Sequence, residues 1–148
     1  MMSCQQPKPV LLAVGLNQPA WVPHNMPIQI FKIGNLVIAG VPGEFTTMSG
    51  RRIKKLLQET FQEKIQHVVI AGLSNSYAGY VTTPEEYMQQ NYEGGFTAFG
   101  RWTLAAYLLM YFRASIASCI RVITSTVGIK KSMLMKECQK HSTLVKLL

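Results

Sequence analysis

The sequence predicts an α/β domain built on a mixed sheet with flanking helices, and three features carry that expectation. Residues 10–15 and 68–72 are short continuous apolar runs with the length of buried strands. Between them lie a hairpin pattern and a segment of helical period. Strand, hairpin, helix and strand in that order describe an α/β layer.

Taken in order, Pro7 and Pro9 introduce the first run, and residues 17–27, with three prolines and Trp21, read as loop. Residues 28–33 alternate apolar with polar, Gly34-Asn35 offers a tight turn, and 36–41 complete the hairpin. After Pro42-Gly43-Glu44-Phe45, Thr46 and Thr47 are candidate caps for a helix whose Ile53, Leu56, Leu57 and Phe61 share one face. Residues 73–80 form a small-residue loop behind the second buried strand. Thr83-Pro84-Glu85-Glu86 is a helix start: a threonine cap, proline at the first helical position, and two acids against the positive end of the dipole. That helix is expected to carry Tyr87, hold Tyr92 near its end and stop at Gly94-Gly95. A further helix is expected from Gly100 through Phe112, extending toward Ile120.

The chain has 148 residues, 48% of them hydrophobic, enough for one domain with a core. Its formal charge of +8 suggests an anionic partner, but the distribution is uneven. Residues 1–100 carry 7 bases against 6 acids, whereas 101–148 carry 8 bases against Glu137 alone. A charge-driven function would therefore reside in the tail, as a contact with an anionic membrane surface; no nucleic-acid partner is expected. Aspartate is absent, which excludes a Ser-His-Asp triad and any Asp-led metal loop. Cys4, Cys119 and Cys138 have no CxxC spacing and form neither a zinc knuckle nor a self-contained disulfide framework. Lys8 and the apolar residues after it imitate a secretory signal only thinly. Arg113 and Arg121 interrupt the apolar stretch 104–129, so no membrane span is expected.

Glu44 is the most informative acid, since a strand-to-helix junction is where side chains reach the carboxyl edge of a sheet. From the residues alone it reads more readily as an acid stabilised by a helix N-terminus. Tyr77, Tyr80, Tyr87 and Tyr92 cluster behind the second strand, where a tyrosine ordinarily buries its ring and satisfies its hydroxyl. Arg51 and Arg52 are candidate anion clamps or solvated helix surface. His24, His67 and His141 lie too far apart in sequence for a histidine-built metal site. Ser49 and Ser74 lie outside any nucleophile elbow.

The run Val41-Pro-Gly-Glu-Phe-Thr-Thr-Met-Ser-Gly-Arg-Arg52 resembles a signature of the neutral ceramidases. A second segment, Gly72-Leu-Ser-Asn-Ser-Tyr-Ala-Gly-Tyr-Val-Thr-Thr-Pro-Glu-Glu-Tyr87 followed by Asn91-Tyr92-Glu93, is similar to another, and weaker similarity extends the match to about residues 4–113. The resemblance implies a zinc amidase that cleaves the N-acyl bond of ceramide, with Glu44 and Tyr80 as metal ligands and Tyr92 as the hydrogen-bond donor to the oxyanion. It further implies a sphingolipid substrate and a secreted or membrane-associated setting. The family's two histidine ligands and its Gly-Asp-x-Ser-Pro segment have no counterpart here, so the chain is expected to be an incomplete fragment of the larger zinc amidase domain, its C-terminal part, inactive in isolation. Residues 1–113 are assigned to that domain and 114–148 to a divergent basic tail of unknown structure. The alternative is a non-catalytic short homologue with a lipid-binding or partner role.

Overall fold

A computed structural model describes residues 2–9, 19, 21–23, 25–62, 65–117 and 127–130. The elements in chain order are α1 (Met2–Gln5), β1 (Asn25–Ile33), β2 (Leu36–Gly40), β3 (Glu44–Phe45), α2 (Thr47–Phe61), β4 (His67–Ala71), β5 (Tyr80–Val81), α3 (Pro84–Tyr87), α4 (Tyr92–Gly95), α5 (Thr103–Ala117) and β6 (Val127–Lys130). Four strands make a sheet of order β4-β2-β1-β6, and β3 and β5 form a separate pair.

The sheet is mixed, as the sequence predicts. β1 pairs antiparallel with β2, Ile33 opposite Leu36, across a turn in which Gly34 takes a φ of 59°. That left-handed conformation is open to glycine at little steric cost. β2 and β4 are parallel, Val37 opposite Val68, because α2 carries the chain back between them. Asn25 to Ile28 of β1 pair with β6, so β1 starts within the stretch that its prolines mark as loop. The difference is one of distance along the chain: a partner a hundred residues away leaves no local signal. β6 itself lies in the segment to which the sequence assigns no structure, and α5 continues through Ala117, past residue 113.

The core lies between one face of the sheet and two helices. Met26, Ile28 and Ile30 alternate inward from β1, and Val37, Ala39 and Val41 do so at β2. Ile53, Leu57 and Phe61 are the buried stripe of α2, while Leu104, Tyr107 and Tyr111 face inward from α5. The predicted helix from Thr83 to Gly95 is instead two short helices. α3 ends with Met88, and the chain is extended at Asn91 before α4 begins. Carbonyls released by this break are met from outside: Lys8 Nζ donates to Gln89 O at 2.7 Å and stands 5.4 Å from the centroid of the Tyr87 ring. Cys4 in α1 is buried and disulfide-bonded. Among the described residues no helix is long and apolar enough to cross a membrane. The expected strand at 10–15 lies outside the described residues.

Candidate functional site

The short pair β3 and β5 organises the site. Proline at 42 and glycine at 43 turn the chain out of β2, and a Cβ on Gly43 would stand 2.6 Å from the carbonyl oxygen of Gly79. The glycine therefore lets two backbones approach closely, and the gap is closed by hydrogen bonds from Ala78 N to Pro42 O at 2.8 Å and from Glu44 N to Gly79 O at 3.0 Å. Parallel pairing then sets Glu44 opposite Tyr80 and Phe45 opposite Val81.

One phenol bonds to the Glu44 carboxylate and a second stands opposite it in the strand pair. Tyr77 Oη donates to Glu44 Oε1 at 2.8 Å. Tyr80 is pushed up to about 12, first by its hydrogen bond to Glu44, then by burial and the nearby carboxylate charge, and Tyr77 is raised for the same reasons in the same order. Both phenols hold their protons at neutral pH. Tyr92, at the start of α4, sets its ring edge-on to Tyr80 with centroids 5.4 Å apart, and stacks on Phe96 at 6.3 Å. It is 71% exposed, and its hydroxyl makes no hydrogen bond among the described residues.

Glu44 and Tyr80 border a cleft of about 440 Å³ whose walls also include Thr46, Thr82, Glu86, Asn91 and Glu93. Helix caps hold its far wall. Thr46 is the N-cap of α2, accepting from Ser49 N at 3.2 Å, and its hydroxyl donates to Glu86 Oε2 at 2.7 Å. The same Glu86 oxygen accepts from Thr83 N at 2.9 Å in the capping box of α3.

The structure brings Glu44 and Tyr80 to one cleft, sets Tyr92 against the Tyr80 ring, and sends other candidates elsewhere. Tyr87 buries its ring and donates to Gln5 O at 2.6 Å, the ordinary use of a tyrosine. Arg52 pairs with Glu85 at 3.0 Å, and Arg51 is surface. Ser49 is buried within the α2 cap and Ser74 donates to Ala71 O. His67 is exposed, and His24 and His141 lie outside the described residues. Among the described residues, no three His, Cys, Asp or Glu side chains gather as a metal site. Sequence reasoning did not separate Tyr77 from its neighbours; only the backbone stitching at Pro42 and Ala78 aims it at Glu44.

Comparison with known proteins came down on one family. Residues 1–109 match the family described as neutral/alkaline non-lysosomal ceramidase, N-terminal. The chain is 56% identical over 108 residues to neutral ceramidase B of Dictyostelium discoideum, covering 71% of this chain and 15% of that protein. It is 43% identical over 131 residues to the neutral ceramidase of Pseudomonas aeruginosa, covering 87% of this chain and 20% of that one. The crystal structure of neutral ceramidase from Pseudomonas aeruginosa superposes with a TM-score of 0.74 at 41% identity, over 87% of this chain and 21% of that chain. A structure titled as a ceramidase complexed with C2 gives the same TM-score at 40% identity, over 86% of this chain and 22% of that one. The chain thus spans about a fifth or less of the relatives it matches. The match is to the family's N-terminal domain, which corrects the placement of the chain in the C-terminal part of the catalytic domain: motif order along one chain does not say which domain of a longer relative it occupies.

Proposed function

The chain belongs to the neutral/alkaline non-lysosomal ceramidase family, and from that we propose that its cleft contributes the Glu44, Tyr80 and Tyr92 side of a zinc-dependent site hydrolysing the N-acyl bond of ceramide to sphingosine and fatty acid. The observation that carries the reading is the in-register placement of Glu44 opposite Tyr80 at the wall of a cleft, with Tyr92 edge-on to Tyr80.

The donor set suits zinc in kind and falls short in number. A carboxylate and a phenol are oxygen ligands, and Tyr77 already donates to the Glu44 carboxylate while Tyr80 stands opposite it. Catalytic zinc takes about three protein ligands and keeps a position open, so further ligands have to come from outside the described residues. When bound, zinc supplies Lewis acidity and lowers the pKa of a bound water.

The residues of this chain then have separate tasks. Glu44 brings negative charge to a position fixed by the β3 and β5 backbones. Tyr80 brings a phenol oxygen beside it. Tyr92, exposed beside Tyr80, donates to the amide carbonyl oxygen as charge grows on it during attack. Thr82, Asn91 and Glu93 give the cleft polar walls for the amide and hydroxyl end of a sphingolipid. A lipid substrate brings with it a membrane surface and a secreted or membrane-associated setting.

The test is a chimera in which this chain replaces the matching segment of the Pseudomonas aeruginosa enzyme, assayed for release of fatty acid from N-acylsphingosine. The expected result is zinc-dependent hydrolysis that Glu44→Gln abolishes and Tyr92→Phe lowers by about 10²–10³ in kcat. The 148-residue chain alone, with two donors, is expected to show none. Hydrolysis by the Glu44→Gln chimera at the parental rate overturns the reading.

A further inference from the structure

We infer that Tyr77 is a positioning residue for Glu44: its hydroxyl holds one carboxylate oxygen so that the other is presented to a divalent cation. The inference rests on the metal reading of the cleft and adds to it a residue that touches no substrate.

Three observations converge on Tyr77. Its hydroxyl lies 2.8 Å from Glu44 Oε1, a normal bond from a phenol to a carboxylate. Its backbone neighbours are tied to the Glu44 strand on both sides, Ala78 N to Pro42 O and Glu44 N to Gly79 O, so donor and acceptor move together. Its side chain is 43% exposed and has no packing task comparable to that of buried Tyr87, at 1%. A large aromatic residue spent on the surface, anchored by its backbone and aimed at one carboxylate, fits the orientation of that carboxylate better than the filling of a core.

The physical gain is preorganisation. A free glutamate side chain loses rotamer freedom when it binds a metal, whereas one already held by a neutral donor has lost that freedom beforehand. A phenol does this without cancelling the charge, as a lysine or arginine would. A carboxylate has lone pairs enough to accept from Tyr77 on one oxygen and still meet a cation with the other. Tyr80, opposite Glu44 in the strand pair, is itself a proposed ligand, so on metal binding Tyr77 is the phenol left in the holding role.

Zinc is titrated into the metal-free chimera that carries this chain, and its affinity is read by competition with a chromophoric chelator. The parent chimera is expected to bind zinc, Glu44→Gln to lose most of that affinity, and Tyr77→Phe to weaken binding about tenfold, the low end for groups that orient a ligand. Tyr77→Ala is expected to match Tyr77→Phe, since the hydroxyl and not the ring is at work. Equal zinc affinity in Tyr77→Phe and parent overturns the inference while leaving the Glu44 site standing. Loss in Tyr77→Ala alone overturns it in favour of ring packing. Unfolding of Tyr77→Phe overturns it as well, because the hydroxyl would then be holding the fold. A parent chimera that takes up no zinc, or a Glu44→Gln chimera that binds as the parent does, overturns the metal reading itself.

Discussion

The hydroxyl of Thr46 donates to Glu86 Oε2 across 2.7 Å, and through that bond the N-cap of α2 and the capping box of α3 share one carboxylate oxygen. Forty residues separate the two in sequence, so the bond locks together two helix starts that flank the cleft. Glu86→Ala is expected to cost about 2 kcal/mol and Thr46→Ala about 1 kcal/mol in urea unfolding. Because both changes remove the same bond, the double variant should fall short of their sum by at least about 0.5 kcal/mol. Strict additivity would show that the shared oxygen carries no coupling.

The same carboxylate sets an acid limit. Burial pushes Glu86 up, but the Thr83 amide, the Thr46 and Thr83 hydroxyls and Arg52 together outweigh it and hold the group below 4.5. Glu85 is lowered as well, first by its own backbone amide and then by Arg52. As pH falls, the unfolded chain takes up these protons before the folded chain does. Stability is therefore fully present above the ordinary carboxylate range and is lost as pH drops through the lowered folded values. Thermal midpoints should be flat above about pH 5 and decline below it. Glu86→Gln should decline less steeply; a slope identical to the parent's would remove Glu86 from the account.

Two glycines should respond differently to alanine. At Gly34 the φ of 59° is unfavourable for a side chain, but nothing lies within 4 Å of the added Cβ, so Gly34→Ala should cost about 1 kcal/mol. At Gly43 the added Cβ meets a backbone oxygen at 2.6 Å and neither strand is free to yield. Gly43→Ala should cost about 3 kcal/mol and speed amide hydrogen exchange at Glu44. Similar losses at the two sites would mean that β3 and β5 separate easily.

Tyr107 and Tyr111 are both buried on α5, yet their hydroxyls face unequal acceptors. Tyr111 donates to the carbonyl of Gly40, and Tyr107 to the thioether of Met26 at 3.0 Å. Tyr111→Phe should cost about 1.5 kcal/mol and Tyr107→Phe under about 0.5 kcal/mol, since sulfur is a weak acceptor. Chemical denaturation of the two variants side by side checks the order, and a reversed order would mean that Gly40 finds another donor.

What the sequence disclosed and what it hid follow from the range of each interaction. The hairpin at Gly34-Asn35, the buried stripe of α2 and the Thr83 cap are written in residues within four positions of one another. β3 and β5 are two residues each, and their pairing joins positions 44 and 80, which no local pattern expresses. The break between α3 and α4 escaped notice for the opposite reason: the segment has helix signals at both ends, and the interruption is met by Lys8 from the far end of the chain. At the site, the junction position of Glu44 was legible. The difference between Tyr77, which bonds to Glu44, and Tyr87, which bonds to Gln5, was not, because neither a loop tyrosine nor a helix tyrosine shows in sequence which distant acceptor its hydroxyl will reach.

The separation of Glu44 from Tyr80 is set by the width of a parallel peptide ladder and not by the side chains around it. Substitutions at Asn91 or Glu93 can therefore alter the outline of the cleft while the spacing of Glu44 and Tyr80 keeps a constant gauge, held in main-chain hydrogen bonds.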